Sequence, residues 1–414
     1  MAIAQQNLAQ VVAQTVQETP LLDIHTHLYH PSYDGLLLWG PDELVTYHYL
    51  IAETYRYIDL PFAEYFAMDK KDQADLIWDT LFVQRSPVSE ACRGVLTAFA
   101  KLGIRVSRDL NDIRRQFGEY TPEGYVNEVF GIANVRQAVM TNDPFDDKER
   151  AQWLAGKPQH DKLQAALRLD QLLLNWPTAV PRLQEWGYGV RLDMDAQVMA
   201  EVRRFLTDWI ERMGAVYMAV SLPYTFQYPD ASPVTRLIEE AILPVGLAKD
   251  LPLALMIGVA RQINPTLSLA GDGVQPSDVS AVINLCAKYP KNKFMVTMLS
   301  ENDQHTLVVA ARKFRNLLVF GCWWFLNNPS IIERMTRMRM ELLGLSFIPQ
   351  HSDARVLDQL LYKWSHSRQI IARVLTDKYQ DLMATGWEVS ETDIQADVLA
   401  LLGGVFDTFI QLKL

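Results

Sequence analysis

The sequence predicts an α/β protein, a (β/α)8 barrel of the TIM type with a large helical insertion after the first strand. Three observations carry that expectation. Eight short apolar runs recur, at 21–27, 135–141, 164–170, 216–223, 252–259, 293–299, 317–324 and 345–353. Each is apolar at odd and even positions alike, as a parallel strand buried on both faces requires. Stretches of helical period separate the runs. More than a hundred residues lie between the first and second runs, far beyond an ordinary crossover. An open doubly wound sheet is the rival arrangement.

The elements follow in chain order. The insertion, about 30–133, has its own helical signals, with Ser86-Pro87 opening a stretch that stops near Gly103. Residues 201–213 set Val202, Phe205, Leu206, Trp209 and Ile210 on one helical face. Ser277 reads as the cap of a stretch that fades at Lys288. Asn328 and Pro329 read as N-cap and first helical residue, and Gly344 as the stop, of a helix leading into the last run. The tail after Asp353 is helical with no low-complexity linker, so residues 1–414 are expected to form one domain.

Composition narrows the function. The 414 residues are 49% hydrophobic and 21% charged, which excludes general disorder. A net charge of −10 without a Lys/Arg cluster argues against a nucleic-acid partner. The longest apolar run, 317–326, is about half of the ~20 residues that a membrane helix needs. The first basic residue is Arg56, so neither a secretory nor a transit leader is expected. Cys92, Cys286 and Cys322 are scattered and fit neither a disulfide framework nor a thiolate metal site. The expectation is a reduced, cytoplasmic protein without a membrane partner; the large insertion is compatible with a homo-oligomer.

Chemistry in a barrel sits at the C-terminal ends of its strands. The first run delivers Asp23-Ile24-His25-Thr26-His27 there. Alternation puts His25 and His27 on one side, where two imidazoles can share a metal ion. Polar core histidines satisfied by hydrogen bonds are the alternative. Closure brings the end of the last run beside the first, so Asp353 can complete a His, His, Asp set with an open position, as in a catalytic metal site. Asp353 as a helix N-cap is the competing role. Arg168 and Asp170 end the third run on one face. An inward Arg fork suits a carboxylate, unless the pair merely neutralises itself. Arg355 is a second candidate anion binder. His48 and Tyr49 could cap the site from the insertion, or lie on a helix surface. Trp323 and Trp324 end the seventh run as pocket wall or as packed aromatics. His30, His351 and His366 carry no assignment. No nucleophile elbow, phosphate loop or dinucleotide fingerprint is present.

The segments Asp23-Ile24-His25-Thr26-His27-Leu28, Leu38-Trp39-Gly40 and Leu44-Val45-Thr46-Tyr47-His48-Tyr49 resemble the uronate isomerases of the amidohydrolase superfamily. The likeness continues through Arg168-Leu169-Asp170, Phe320-Gly321-Cys322-Trp323-Trp324 and Ser352-Asp353-Ala354-Arg355, over nearly the whole chain. His-x-His is shared by many hydrolases; its combination with Thr-Tyr-His-Tyr is far more specific. The resemblance implies a distorted barrel and the interconversion of D-glucuronate with D-fructuronate and of D-galacturonate with D-tagaturonate. It also implies one divalent metal, zinc or else manganese, on His25, His27 and Asp353. Contacts to the sugar acid are implied for His48, Tyr49, Arg168 and Arg355, with Asp170, Trp323 and Trp324 as further candidates. Asp353 is the expected base, assisted by Tyr49, His48 and Arg355; a water on the metal is the alternative base. One departure stands out. Leu255-Met256-Ile257-Gly258 puts Met256 where the main branch of the family carries a His. Ser221, Met256 and Ser300 stand where superfamily hydrolases carry further ligands, so a two-metal centre is not expected. A mononuclear metal hydrolase acting on a small amide or lactone is the second reading.

Overall fold

The computed structural model describes residues 3–33, 35–156 and 160–414. Five parallel strands follow chain order: β1 (Leu21–Thr26), β2 (Val135–Asn142), β3 (Leu163–Arg168), β4 (Met218–Pro223) and β5 (Leu253–Ala260). A two-residue strand, β6 (Gly273–Val274), doubles back antiparallel on β5. Then β7 (Phe294–Met298) and β8 (Leu317–Val319) complete the order β1-β2-β3-β4-β5-β7-β8. The sheet curls into a distorted (β/α)8 barrel.

Alternation along each strand sorts the side chains into two cores. Met218, Val220 and Leu222 of β4 pack with Val202, Phe205 and Leu206 of the helix Ala196–Met213. Tyr217 and Ala219 face the barrel interior instead. On β5, Leu253, Leu255 and Ile257 take the outer role, and Ala254 and Met256 the inner one. Burial on both faces is why these strands read as continuous apolar runs.

The run 345–353 does not form a regular strand. Ile348 bridges Phe320 and donates its N–H to the Val319 carbonyl. Pro349 follows and has no N–H with which to continue the ladder. The Gln350 side chain takes over, its Oε1 accepting the N–H groups of Cys322 and His351. The run 317–324 is likewise cut to three residues, because Gly321 turns the chain at φ +66°. The barrel still closes. The Asp353 N–H donates to the His25 carbonyl at 3.1 Å, and the His27 N–H to the Ala354 carbonyl at 2.7 Å. Leu38 bridges Val356 alongside.

The segment after β1 is helical, from Pro41–Val45 through Pro122–Ala133, and shares one apolar core with the outer face of the sheet. Two helix starts differ from expectation. Ser89, not Ser86, caps Glu90–Lys101 by accepting the Cys92 N–H, because Pro87 lies before the first turn. Ser277 is not a cap. Its N–H is drawn to Asp303, and Asp278 takes the Ser280 N–H as the helix Ser280–Lys288 begins. Asn328 does cap Pro329–Leu343, and Gly344 ends it. Among the described residues no helix is long and apolar enough to cross a membrane.

Gly321 is the tightest point near the closure. A Cβ there would lie 1.7 Å from Nδ1 of His351, at a φ that side chains rarely adopt. The His351 ring is itself wedged between Phe320 and His25. Gly321→Ala is therefore expected to cost at least ~2 kcal/mol of stability, read from urea unfolding. An unchanged midpoint would contradict this packing.

Candidate active site

Leu22 and Ile24 belong to the barrel lining, so strict alternation would turn His25 outward. The β1–β2 register breaks between Asp23 and Thr26. An irregularity of this kind re-aims the side chains that follow. Both His25 and His27 consequently lie on the interior side, with ring centroids 5.3 Å apart and planes at 87°.

Asp353 reaches them from the closing segment with φ +53°, a left-handed conformation that Asp tolerates better than most residues. Its Oδ1 lies 3.7 Å from His25 Nε2 and 3.4 Å from His27 Nε2. His25 Nε2 and Asp353 Oδ1 are buried and make no hydrogen bond. Buried polar atoms normally have a partner, and two potential ligand atoms converging without one fit a cation between them. Three ligand atoms within 4.8 Å of one another could hold a metal ion.

Above this cluster lies a cavity of about 170 Å³. Of the residues expected at the site, His27, His48, Arg168, Trp323, Trp324, Asp353 and Arg355 line it. Tyr47, Ser221, Arg261, Leu269 and Asp272 complete the wall. An adjoining space of about 300 Å³ shares Tyr47, His48, Leu269 and Arg355 and runs beneath the turn Pro265–Gly271.

Three expected residues stand behind the wall. His25 forms the floor. Tyr49 is turned away, its buried hydroxyl without a partner and its ring edge-on to Tyr47 at 4.9 Å and to His48 at 4.5 Å. Asp170 accepts from Arg168 Nη2 at 3.0 Å and from the Ser221 N–H at 3.4 Å, and so aims the guanidinium. The unassigned histidines divide. His366 is tied to Glu90 and Thr97 away from the cavity, while His351 sits against His25 with ring centroids 5.3 Å apart. Met256 packs in the barrel interior, and Ser300 bonds to the Asn302 N–H; neither lines the cavity.

Sequence reasoning missed Tyr47, Arg261 and Asp272. Arg261 pairs with the buried Asp272 across the β5–β6 hairpin. An Arg directly after the fifth strand was a usable signal. The Gly-Asp-Gly around Asp272 has the composition of an ordinary turn and carries no signal of its own.

No protein-family model matches the chain, and no curated protein does. Among solved structures, a uronate isomerase from Bacillus halodurans C-125 is 52% identical, with 99% of this chain and 98% of that one covered at a TM-score of 0.98. The chain belongs to the uronate isomerase family. A uronate isomerase from Thermotoga maritima, 16% identical, superposes over 99% of this chain and 100% of its own at a TM-score of 0.78. A glucuronate isomerase from Caulobacter crescentus, 15% identical, does so over 99% and 94% at 0.79. These two show the fold alone.

Charge in this uronate isomerase family site is set by burial and by neighbours. Burial works against ionised Asp353, but the adjacent His27, then His25 and Lys363, hold its carboxyl well below the usual range. Burial pushes His48 down to about 4, so its imidazole is neutral at pH 7. Burial also opposes the Arg168 charge, yet Asp170 beside it, with Asp143 and Glu149, keeps it protonated.

Glu149, just past β2, braces this end of the barrel. It accepts from the Tyr29 hydroxyl at 2.8 Å, Asn142 Nδ2 at 3.1 Å and the Asp143 N–H at 3.0 Å. Burial still raises its carboxyl from 4.5 to about 7. The folded chain thus holds a proton that the unfolded chain releases. That stabilisation is complete below about pH 4.5 and is lost as pH rises through about 7. Glu149→Gln can keep the contacts, because the Tyr29 hydroxyl can also accept. Its urea midpoint should therefore fall less than that of the wild type between pH 5 and 8. Asp23 and Asp143, both raised to about 6 by burial, leave a residual slope of the same sign. Equal slopes in the two proteins would refute the assignment.

Proposed function

We propose that this chain interconverts D-glucuronate with D-fructuronate, and D-galacturonate with D-tagaturonate, with the help of one divalent cation. The observation that carries the reading is the pair of buried, unpartnered ligand atoms, His25 Nε2 and Asp353 Oδ1, under a small cavity lined by Arg168, Arg261 and Arg355. The 52% identity to a protein named uronate isomerase supplies the substrate class. His25, His27 and Asp353 would hold the cation; two imidazole nitrogens and one carboxylate oxygen suit zinc, with manganese as the alternative. When bound, it polarises the carbonyl and hydroxyl oxygens of the sugar.

The remaining work falls to side chains. Arg168, aimed by Asp170, takes the substrate carboxylate in its fork. Isomerisation removes the proton on C2 while the C2–H electrons become the C1=C2 bond of an enediol. A proton then returns to C1. Asp353 is the base that accepts the first proton and delivers the second. A carboxylate held this low starts the reaction ionised but is a weak acceptor, so the developing enediolate needs positive charge nearby. Arg355 lines the cavity and can supply that charge. Neutral His48, its buried Nε2 without a hydrogen bond, can pass a proton between the two sugar oxygens. Trp323 and Trp324 exclude water from the enediol. Tyr47 walls the sugar site, with Tyr49 edge-on behind it. The three described cysteines are free and buried, in keeping with a cytoplasmic setting.

Protein loaded with Zn2+ or Mn2+ should convert glucuronate or galacturonate into its ketose, and chelation should abolish turnover. Inactivity of the loaded protein on both sugars would end the proposal. Asp353→Asn should slow deuterium wash-in at C2 by about 100-fold or more, within the usual range for a lost general base. Unchanged exchange, with the cation still bound, would remove Asp353 from that role.

A further inference from the structure

We propose that Tyr217 is a positioning residue that fixes the tautomer of His25, leaving a lone pair on Nε2 for the cation. The inference rests on the metal-dependent reading above, and it concerns a residue with no role in that reaction scheme.

Tyr217 precedes β4 by one residue and is wholly buried inside the barrel. Its hydroxyl oxygen lies 2.7 Å from the carbonyl of Ile24 and 3.1 Å from Nδ1 of His25. Both partners belong to the stretch of β1 where the register with β2 breaks.

The hydrogen inventory decides the polarity of this pair. A phenol has one hydrogen to give and lone pairs to receive. A carbonyl oxygen only accepts, so the hydrogen goes to Ile24, along the shorter contact. What the oxygen then offers His25 is a lone pair. An imidazole nitrogen that meets a lone pair at 3.1 Å carries a hydrogen. His25 is therefore the Nδ1–H tautomer, and Nε2 is bare.

The other end of the ring agrees. Nε2 is buried, has no hydrogen-bond partner and lies 3.7 Å from Asp353 Oδ1. Two acceptors face each other across a space that a cation would occupy. The opposite tautomer would aim an N–H at Asp353 and obstruct that space. It would also leave the Ile24 carbonyl without the tyrosine donor, since the hydroxyl would have to turn to Nδ1. A carboxylate or carbonyl often fixes a ligand histidine from behind. Here a hydroxyl does so, and it can only because the backbone has already claimed its hydrogen.

A tyrosine that merely filled space would be replaceable by phenylalanine without effect on the imidazole. Two measurements on the full chain separate the roles. In metal-free wild-type protein, histidine 15N shifts, assigned by the loss of one signal in His25→Asn, should report the Nδ1–H form for His25. In Tyr217→Phe that signal should move toward the Nε2–H form. Zn2+ affinity, measured against a chromophoric chelator, should fall 10- to 100-fold in Tyr217→Phe, the range typical for a lost outer partner. A wild-type His25 in the Nε2–H form overturns the proposal, and that result does not depend on Tyr217→Phe folding. A Tyr217→Phe protein that binds Zn2+ within twofold of wild type overturns it as well. A wild type with the Nδ1–H form that binds no Zn2+ supports the tautomer lock and defeats the metal reading instead.

Discussion

The arrangement of this site depends on one seam, where β1 meets the irregular segment that replaces an eighth strand. The Asp23 carboxylate stitches it. Oδ1 accepts the Ser352 N–H at 3.0 Å, and Oδ2 accepts the Trp364 indole N–H at 2.8 Å. Lys363, from the same long helix Gln359–Ala384, donates to the Ser352 carbonyl at 2.5 Å. One buried carboxylate thus ties the histidine strand, the Asp353 turn and the helix behind them. The cost is visible in its own chemistry: burial raises Asp23 to about 6 although several hydrogen bonds favour the ion. These side-chain bonds supplement the few backbone ones, from Asp353 to His25 and from His27 to Ala354, that join the two edges.

The donors crowd on one side of the barrel. Across from them, Ala219, Ala254 and Met256 are apolar and fill the interior. On this sidedness Met256 belongs to a far wall that packs and does not bind. Arg339 shows the same economy of charge. Fully buried, it donates to the Gly321 carbonyl at 2.7 Å and to Gln304 Oε1 at 2.9 Å, pinning the turn after β8 to the start of the helix Gln304–Ala311 through neutral acceptors.

Much of this was legible in the residues, and the failures have identifiable causes. Strand β5 announces itself because both of its faces are buried. The closing segment looked equally apolar, yet a single Pro349 removed its ladder, and hydrophobic pattern alone does not weigh a missing N–H. Asn328 could be read as a cap because Pro329 and Gly344 frame it. Ser277 could not be excluded as one without knowing that Asp303 approaches from a distant part of the chain. His25, His27 and Asp353 were readable as residue types at strand ends. That Tyr47 and not Tyr49 faces the cavity depends on the entry angle of the short helix His48–Thr54, which no local period encodes. Tyr217 passed for one more aromatic in a buried run, since its meaning lies in two partners nearly two hundred positions away.

The filled interior has a consequence for what can be accommodated. Beneath His25 the barrel is plugged by Ile24, Tyr217, Phe320 and Phe406, so no passage runs from the cavity down the barrel axis. Whatever enters the cavity must therefore leave on the side from which it came, because the lower half of the barrel is solid with side chains.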